Sequence, residues 1–163
     1  YERALIELSR GGGDATVLRE FDIKTKAFVS DGFNLPEAKS QVAWRDLNSV
    51  YVGTDFGPGS LTDAGYPRIV KLWTRGTPLS QAKTLFEGKA EDVSVGAARD
   101  WHQGMHTDLL QRTVTFFESE VYLIDGEQLR PIDKPKDVGL TFDGKTAKGI
   151  GIRIVAACNN PVI

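Results

Sequence analysis

Hydrophobic and polar positions alternate with a period of two along most of the chain. In Arg3 to Ser9 (RALIELS), Leu5 shares a face with Arg3 and Glu7, while Ala4, Ile6 and Leu8 fall on the opposite face. In TVLREFDI, Val17, Arg19 and Phe21 share one face. VYVGTDF, RIVKLW, RTVTFF and EVYLID are short, rich in β-branched and aromatic residues, and bounded by Gly, Pro, Asp or Asn, which predicts strands with turns between them. Helical spacing is nearly absent; LSQAKTLFEG, Leu79 to Gly88, offers at most a turn or two.

The punctuation predicts hairpins. Asp22 to Lys26 joins TVLREF to AFV, Asp46 to Ser49 joins QVAW to VYVG, and Asp125 to Glu127 joins VYLI to QLRPI, with Asp125-Gly126 a strong two-residue turn signal. Consecutive antiparallel hairpins without intervening helices mean an all-β sandwich, barrel or propeller. An internal echo helps to choose. Ser40 to Asp46 (SQVAWRD) and Ser94 to Asp100 (SVGAARD) share Ser, Ala, Arg and Asp at an offset of 54, each followed by a strand and then an outer hairpin. Propeller blades repeat every ~40 to 50 residues, so this offset fits a blade carrying a longer loop. About three blades are expected, the first from roughly Tyr1 to Val29 and incomplete, so the ring is partial.

Composition adds limits. The 163 residues fit one domain, 40% are hydrophobic and 26% charged, and 20 Lys and Arg against 22 Asp and Glu leave no broad basic face for nucleic acid or an anionic membrane. No apolar run approaches the ~20 residues of a membrane span. The single cysteine, Cys158, excludes an internal disulfide and fits a reducing compartment, hence a cytoplasmic expectation, although a cysteine-poor periplasmic protein would look the same. Tyr1 opens in the middle of an alternating pattern, so the chain reads as a piece of something longer.

From Arg3 to about Asp137 the chain resembles the propeller domain of prolyl-oligopeptidase-type serine peptidases. The residues that carry the resemblance are SRGGGDATVLREFDIKTKAF, LPEAKSQVAWRD, VYVGTDFGPGSLTDAGYPRIVKLWTRGTPLSQAKTLFEG and FFESEVYLIDGEQLRPID. Most telling is GYPRIVKLWTRGTPL, where Tyr66-Pro67-Arg68 opens a strand and Gly76-Thr77 makes its hairpin. The resemblance implies a propeller set over an α/β-hydrolase domain that carries a Ser-Asp-His triad and cleaves short peptides, typically after proline. The propeller filters substrates and performs no chemistry. The resemblance stops after Asp137, so 1–137 is read as partial propeller and 138–163 as a divergent β segment or tail.

Candidate chemistry is sparse. GLTFDGKT, Gly139 to Thr146, satisfies the P-loop spelling G-x-x-x-x-G-K-S/T with Gly139, Gly144, Lys145 and Thr146. A P-loop needs a buried strand before it and a helix after it. Pro131 and Pro135 stand where the strand should be, and Gly149, Gly151 and a β-branched run oppose the helix. Asp143-Gly144 is therefore expected to make a plain β-turn. His102 and His106 sit four apart with Asp100 and Asp108 nearby, but Gly104 argues for a long loop with incidental histidines rather than a metal helix. None of Ser9, Ser30, Ser40, Ser49, Ser60, Ser80, Ser94 or Ser119 has the flanking glycines of a nucleophile elbow, Ser60 in GPGSLTD coming nearest. The Thr54 to Pro67 loop is either a gating or docking element or a solvated connection. Trp44, Trp73 and the pair Phe116-Phe117 are expected to pack inside blades, and Cys158 to be a buried inert thiol.

The expectation is thus a propeller fragment of a prolyl-oligopeptidase-like serine hydrolase. It serves as scaffold and substrate-access filter, with no catalytic, cofactor or metal residue of its own. Its implied partners are the missing blades, an α/β-hydrolase domain and, in the parent, a short peptide. The alternatives are a free-standing β-rich binding module and, below it, a P-loop nucleotide-binding protein.

Overall fold

The alternating segments become strands. The structure, a computed structural model, describes residues 2–102, 105–126, 128–142 and 154–158, and of residues 102, 105, 138–142 and 154–158 it describes the backbone only. Strands β1 (Arg3–Ser9), β2 (Thr16–Asp22), β3 (Ala27–Phe28) and β4 (Asn34–Ala38) make a first antiparallel sheet, in which β2 pairs with β1 on one edge and with both β3 and β4 on the other. Strands β5 (Gln41–Asp46), β6 (Ser49–Gly53), β7 (Ile69–Thr74) and β8 (Lys83–Glu87) follow one another across a second sheet. Strands β9 (Ser94–His102), β10 (Met105–Thr113), β11 (Ser119–Asp125) and β12 (Gln128–Pro131) do the same in a third. Strands β13 (Val138–Phe142) and β14 (Ile154–Cys158) pair as a two-stranded sheet of their own, from Val138↔Cys158 to Phe142↔Ile154.

The 54-residue echo is structural. Its two copies are β5 and β9, each the edge strand of its sheet and lying beside the other. These are the innermost strands of two successive propeller blades. The predicted turns hold for chemical reasons. The Asp22 carboxylate accepts the Lys24 and Thr25 amides at 2.9 and 2.8 Å. That of Asp46 accepts the Asn48 amide at 2.8 Å.

Four local expectations change. The first blade runs on to Ala38, because NLPEA forms β4; its proline is tolerated since an edge strand leaves one side of its backbone unpaired. Only Arg112 and Thr113 of RTVTFF are strand, the end of β10, and Val114 to Glu118 form a turn closed by Val114 N–H to the Glu118 carbonyl at 2.9 Å. Phe116 and Phe117 ride that turn at 89% and 85% exposure instead of packing in a blade. In the WHQGMH stretch the strands run on where a long loop was expected, with Trp101 paired to His106 and His102 to Met105. LSQAKTLFEG keeps the short turn expected of it, a single 3-10 turn at Leu79–Gln81, and β8 follows.

Two cores hold the blades face to face, and β6 lies between them. Its alternate residues Val50 and Val52 join Leu18, Phe33, Leu35 and Trp73 in a core shared with the first sheet. Tyr51 points the other way and meets Val70, Val95, Leu110 and Ile124 in a core shared with the third. Coverage on both faces explains why β6 reads as an unbroken apolar run, VYV, where one-sided strands alternate. The β1–β2 register places Leu5 and Leu18 on the face that meets the second sheet, and Ala4, Ile6, Leu8, Val17 and Phe21 on the face turned away.

Ion pairs bridge the same seams. Glu20, fully buried, accepts two hydrogen bonds from the Arg75 guanidinium at 2.9 Å each and one from the Phe33 amide at 2.9 Å. Gly32 is required beside it, since a Cβ there would stand 2.7 Å from Glu20 Oε2. In the connection between β8 and β9, Asp92 accepts both Arg112 Nε and Nη2 at 2.8 Å, and the Lys89 amide at 2.7 Å.

The Arg112 hydrogen bonds hold Asp92 below the ordinary carboxyl value of 3.8 despite burial. A carboxyl whose pKa is lowered by folding stabilises the fold above its unfolded pKa and loses that contribution as pH falls through the folded value. Asp92→Asn is therefore expected to melt below the wild type at neutral pH. The difference should shrink as the pH drops below about 4. Thermal melts across that range check this; a gap that stays constant would show that the Asp92 charge is not the stabilising element.

Candidate functional site

The first strands of blades two and three border a groove of about 920 Å³, whose walls include Ser40, Gln41 and Ala43 of the β5 edge and Ser94, Gly96 and Ala98 of β9. Gln111 and Thr113 of β10, Asp100 of β9, Ser119 of β11 and Glu7 of β1 add to its polar lining. The small side chains are what open it. At Gly96 there is no room for more, because a Cβ would collide with the Gln41 side-chain oxygen that reaches across from β5. Innermost strands crowd round the axis of a propeller, and short residues there leave an open channel.

Outside the groove lining, the echoed arginines Arg45 and Arg99 meet on the Asp108 carboxylate of β10. Arg99 donates from Nε and Nη2 to both oxygens of Asp108 at 2.6 and 2.7 Å, and Arg45 Nε of the neighbouring blade lies 3.8 Å from the same carboxylate. Burial alone would raise the Asp108 pKa, but Arg99, with Tyr51 and Arg45, holds it below the ordinary value. The Tyr51 hydroxyl lies against Asp108 without closing a hydrogen bond of ordinary geometry, and burial followed by that carboxylate raises its pKa. The cluster is a fixed structural joint between inner strands, with its charges already paired.

The Thr54 to Pro67 segment is not a solvated connection. Ser60, 3% exposed, accepts the Phe56 amide at 2.8 Å and donates to the Gly57 carbonyl at 2.6 Å. Thr62 Oγ1 donates to Val93 of blade three at 3.2 Å, and Tyr66 donates to Asp14 of blade one at 2.9 Å. The loop thus staples three blades at one rim, and the serine nearest to an elbow in sequence has its hydroxyl committed to that scaffold.

The remaining candidates are separated or lie elsewhere. His102 and His106 occupy facing strands of a hairpin, and the His106 ring packs on Trp101 with centroids 5.2 Å apart. Among the described residues no three His, Cys, Asp or Glu side chains could hold a metal ion. Of the P-loop spelling, Gly139 lies on β13, while Asp143-Gly144, Lys145 and Thr146 lie outside the described residues. Cys158 pairs with Val138, and the setting of its side chain lies outside the described residues. Trp44 and Trp73 do pack in a blade interface, each edge-on to Phe33, at 5.7 and 5.0 Å. Sequence reasoning did not single out Gln41, Gly96, Gln111 or the Arg99–Asp108 pair. The S-x-x-A-x-R-D echo was the signal that could have found them, because it marks the strands that border the groove.

Successive antiparallel sheets stacked face to face around their first strands define a β-propeller segment. The chain belongs to the family of the prolyl oligopeptidase N-terminal β-propeller domain, which matches residues 2–146. It is 44% identical over 119 residues to an uncharacterized peptidase of Sinorhizobium fredii, covering 72% of this chain and 16% of the relative. An uncharacterized peptidase of Rickettsia prowazekii is 27% identical over 152 residues, covering 85% of this chain and 21% of the relative. Among solved structures, a post-proline cleaving enzyme from Rickettsia typhi superimposes with a TM-score of 0.79 at 26% identity, over 87% of this chain and 23% of that one. Oligopeptidase B from Leishmania major shares the fold, with a TM-score of 0.60 at 14% identity over 86% of this chain and 19% of that one. The chain therefore spans less than a quarter of the length of each of these proteins.

Proposed function

We propose that the chain is the part of a serine-type peptidase that controls access of short, proline-containing peptides, and that it performs no bond cleavage itself. The observation that carries this is the groove of about 920 Å³ bordered by β5 and β9, whose walls include the short residues Ser40, Ala43, Ser94, Gly96 and Ala98. The peptidase relatives and the post-proline cleaving enzyme supply the substrate class. Its partners in this reading are further blades and an α/β-hydrolase domain. In the same reading the partial propeller ends at Asp137 and 138–163 is a divergent β segment or tail, in line with the separate β13–β14 pairing. A cytoplasmic setting is part of the same proposal and rests on the cysteine economy of the sequence.

Narrowing the groove tests it. Ala98→Phe, in the polypeptide that carries the peptidase domain, is expected to lower kcat/KM about tenfold for an oligopeptide and to leave a minimal prolyl chromogenic substrate within about twofold. Equal effects on both substrates, with the melting temperature retained, would overturn the access reading.

A further inference from the structure

Strand β6 carries two buried hydroxyls on the face that meets blade three. Tyr51 is 1% exposed and belongs to the core shared with the third sheet. The β6–β7 ladder runs regularly through Ser49↔Thr74, Val50↔Trp73 and Tyr51↔Leu72, so Ser49 points to the same side as Tyr51. Ser49 is itself 5% exposed. Among the described residues, Ser49 Oγ and Tyr51 Oη are the buried side-chain polar atoms without a hydrogen-bond partner. A buried hydroxyl that bonds to nothing keeps the full cost of leaving water, so such a pair calls for an explanation.

The surroundings are polar and have capacity to spare. Asp46 is the cross-strand partner of Ser49, and Arg45 is the extra residue of the β5 bulge beside it. From blade three, the Asp108 carboxylate comes to 3.8 Å from Arg45 Nε and lies against the Tyr51 phenol. Arg99 occupies one position on each Asp108 oxygen, at 2.6 and 2.7 Å. A carboxylate offers about four such positions, so Asp108 can accept more. Burial, and after it the Asp108 carboxylate, raise the Tyr51 pKa, so the phenol keeps a proton to donate. An anion would be repelled by Asp108, and a cation by Arg45 and Arg99. What fits is small, neutral, and both donor and acceptor.

We infer that a structural water molecule is bound in the seam between blades two and three, accepting from Tyr51 Oη and donating to Ser49 Oγ and to the Asp108 carboxylate. These are three partners, within the two to four that a buried water takes. The water links β6 to β10 beside the Arg45–Asp108 pair, at the polar end of a seam that is apolar around Val70, Val95 and Leu110. The site is independent of the access reading, because none of Ser49, Tyr51 and Asp108 lines the groove.

A crystal structure of the 163-residue chain tests this without any substitution. Ordered solvent density is expected within about 3 Å of Tyr51 Oη, Ser49 Oγ and an Asp108 oxygen. A direct bond from Tyr51 Oη to Asp108, with no density between the three groups, overturns the site. Thermal melts of Tyr51→Phe, Ser49→Ala and the double variant give a second readout. Tyr51→Phe is expected to lower Tm by about 3 °C and Ser49→Ala by about 2 °C. The double variant should stay within about 1 °C of Tyr51→Phe, since both changes undo one bridge. Shifts that add in full show two hydroxyls acting separately and overturn the bridge. A Tyr51→Phe variant that melts at or above the wild type shows a dry, unpartnered phenol and overturns it too.

Discussion

Arg75→Ala is expected to lower the unfolding free energy by about 3 kcal/mol, the lower end of the range for stripping the partner from a buried charge. Glu20 on β2 is fully buried, and Arg75 supplies two of its hydrogen bonds from the far end of β7. The same guanidinium donates to the Leu47 carbonyl at 2.8 and 3.0 Å and lies over the Phe33 ring at 4.7 Å. Its removal leaves a carboxylate deep in the seam with the Phe33 amide at 2.9 Å and Arg3 at 3.9 Å. The lower end applies because Arg75 is 29% exposed and water can follow it in. Arg75→Lys should fall between, since an ammonium restores charge without the planar fork. Urea denaturation measures both; a loss below about 1 kcal/mol for the alanine variant would show that the clamp does not hold the first seam together.

Leu110→Ala should cost about 2–5 kcal/mol through the second seam. Leu110 has no exposed surface and is enclosed by Tyr51, Val70, Val95 and Ile124, all buried residues of strands that cannot easily close on a cavity. Because the two cores lie on opposite faces of β6, the double variant with Arg75→Ala should be additive to within about 0.5 kcal/mol. Additivity would describe blades that contribute seam by seam, as stacked repeats do. A coupling well above that value would mean that the β6 strand transmits strain between its faces.

Much of this architecture was legible because strands announce themselves by period and hairpins by turn chemistry. β1, β2, β7 and β11 fall where the alternation placed them, and the Asp22 and Asp46 turns close as those residue types require. The misses have specific causes. NLPEA carries a proline and a glutamate, which local propensity counts against a strand, yet an edge position on β2 accepts both. RTVTFF has the composition of a strand, but Thr113 is the last residue to find a partner on β9, and the two phenylalanines are left on a turn. The WHQGMH stretch has the composition of a loop because Gly104 interrupts it, yet Trp101 and His102 pair with His106 and Met105.

The candidate site was less legible than the fold. Its residues come from β1, β5, β9, β10 and β11, and nothing in the spacing of Gln41 and Gly96, 55 positions apart, says that one side chain fills the room the other leaves. By itself the sequence determined the strand order, the hairpin turns, the 54-residue blade repeat and the absence of a recognisable nucleophile elbow, because each depends on neighbours within a few residues or on a repeated pattern. Only the tertiary structure decided which face of each strand is covered. It put Leu5 rather than Ile6 against the next blade, made Glu20 a buried partner of Arg75, and left Trp101 bare while Trp44 and Trp73 went inside. The physical reason is that alternation divides a strand into two faces, but burial depends on which sheet stacks on each face, and that is set by contacts between residues far apart in the chain.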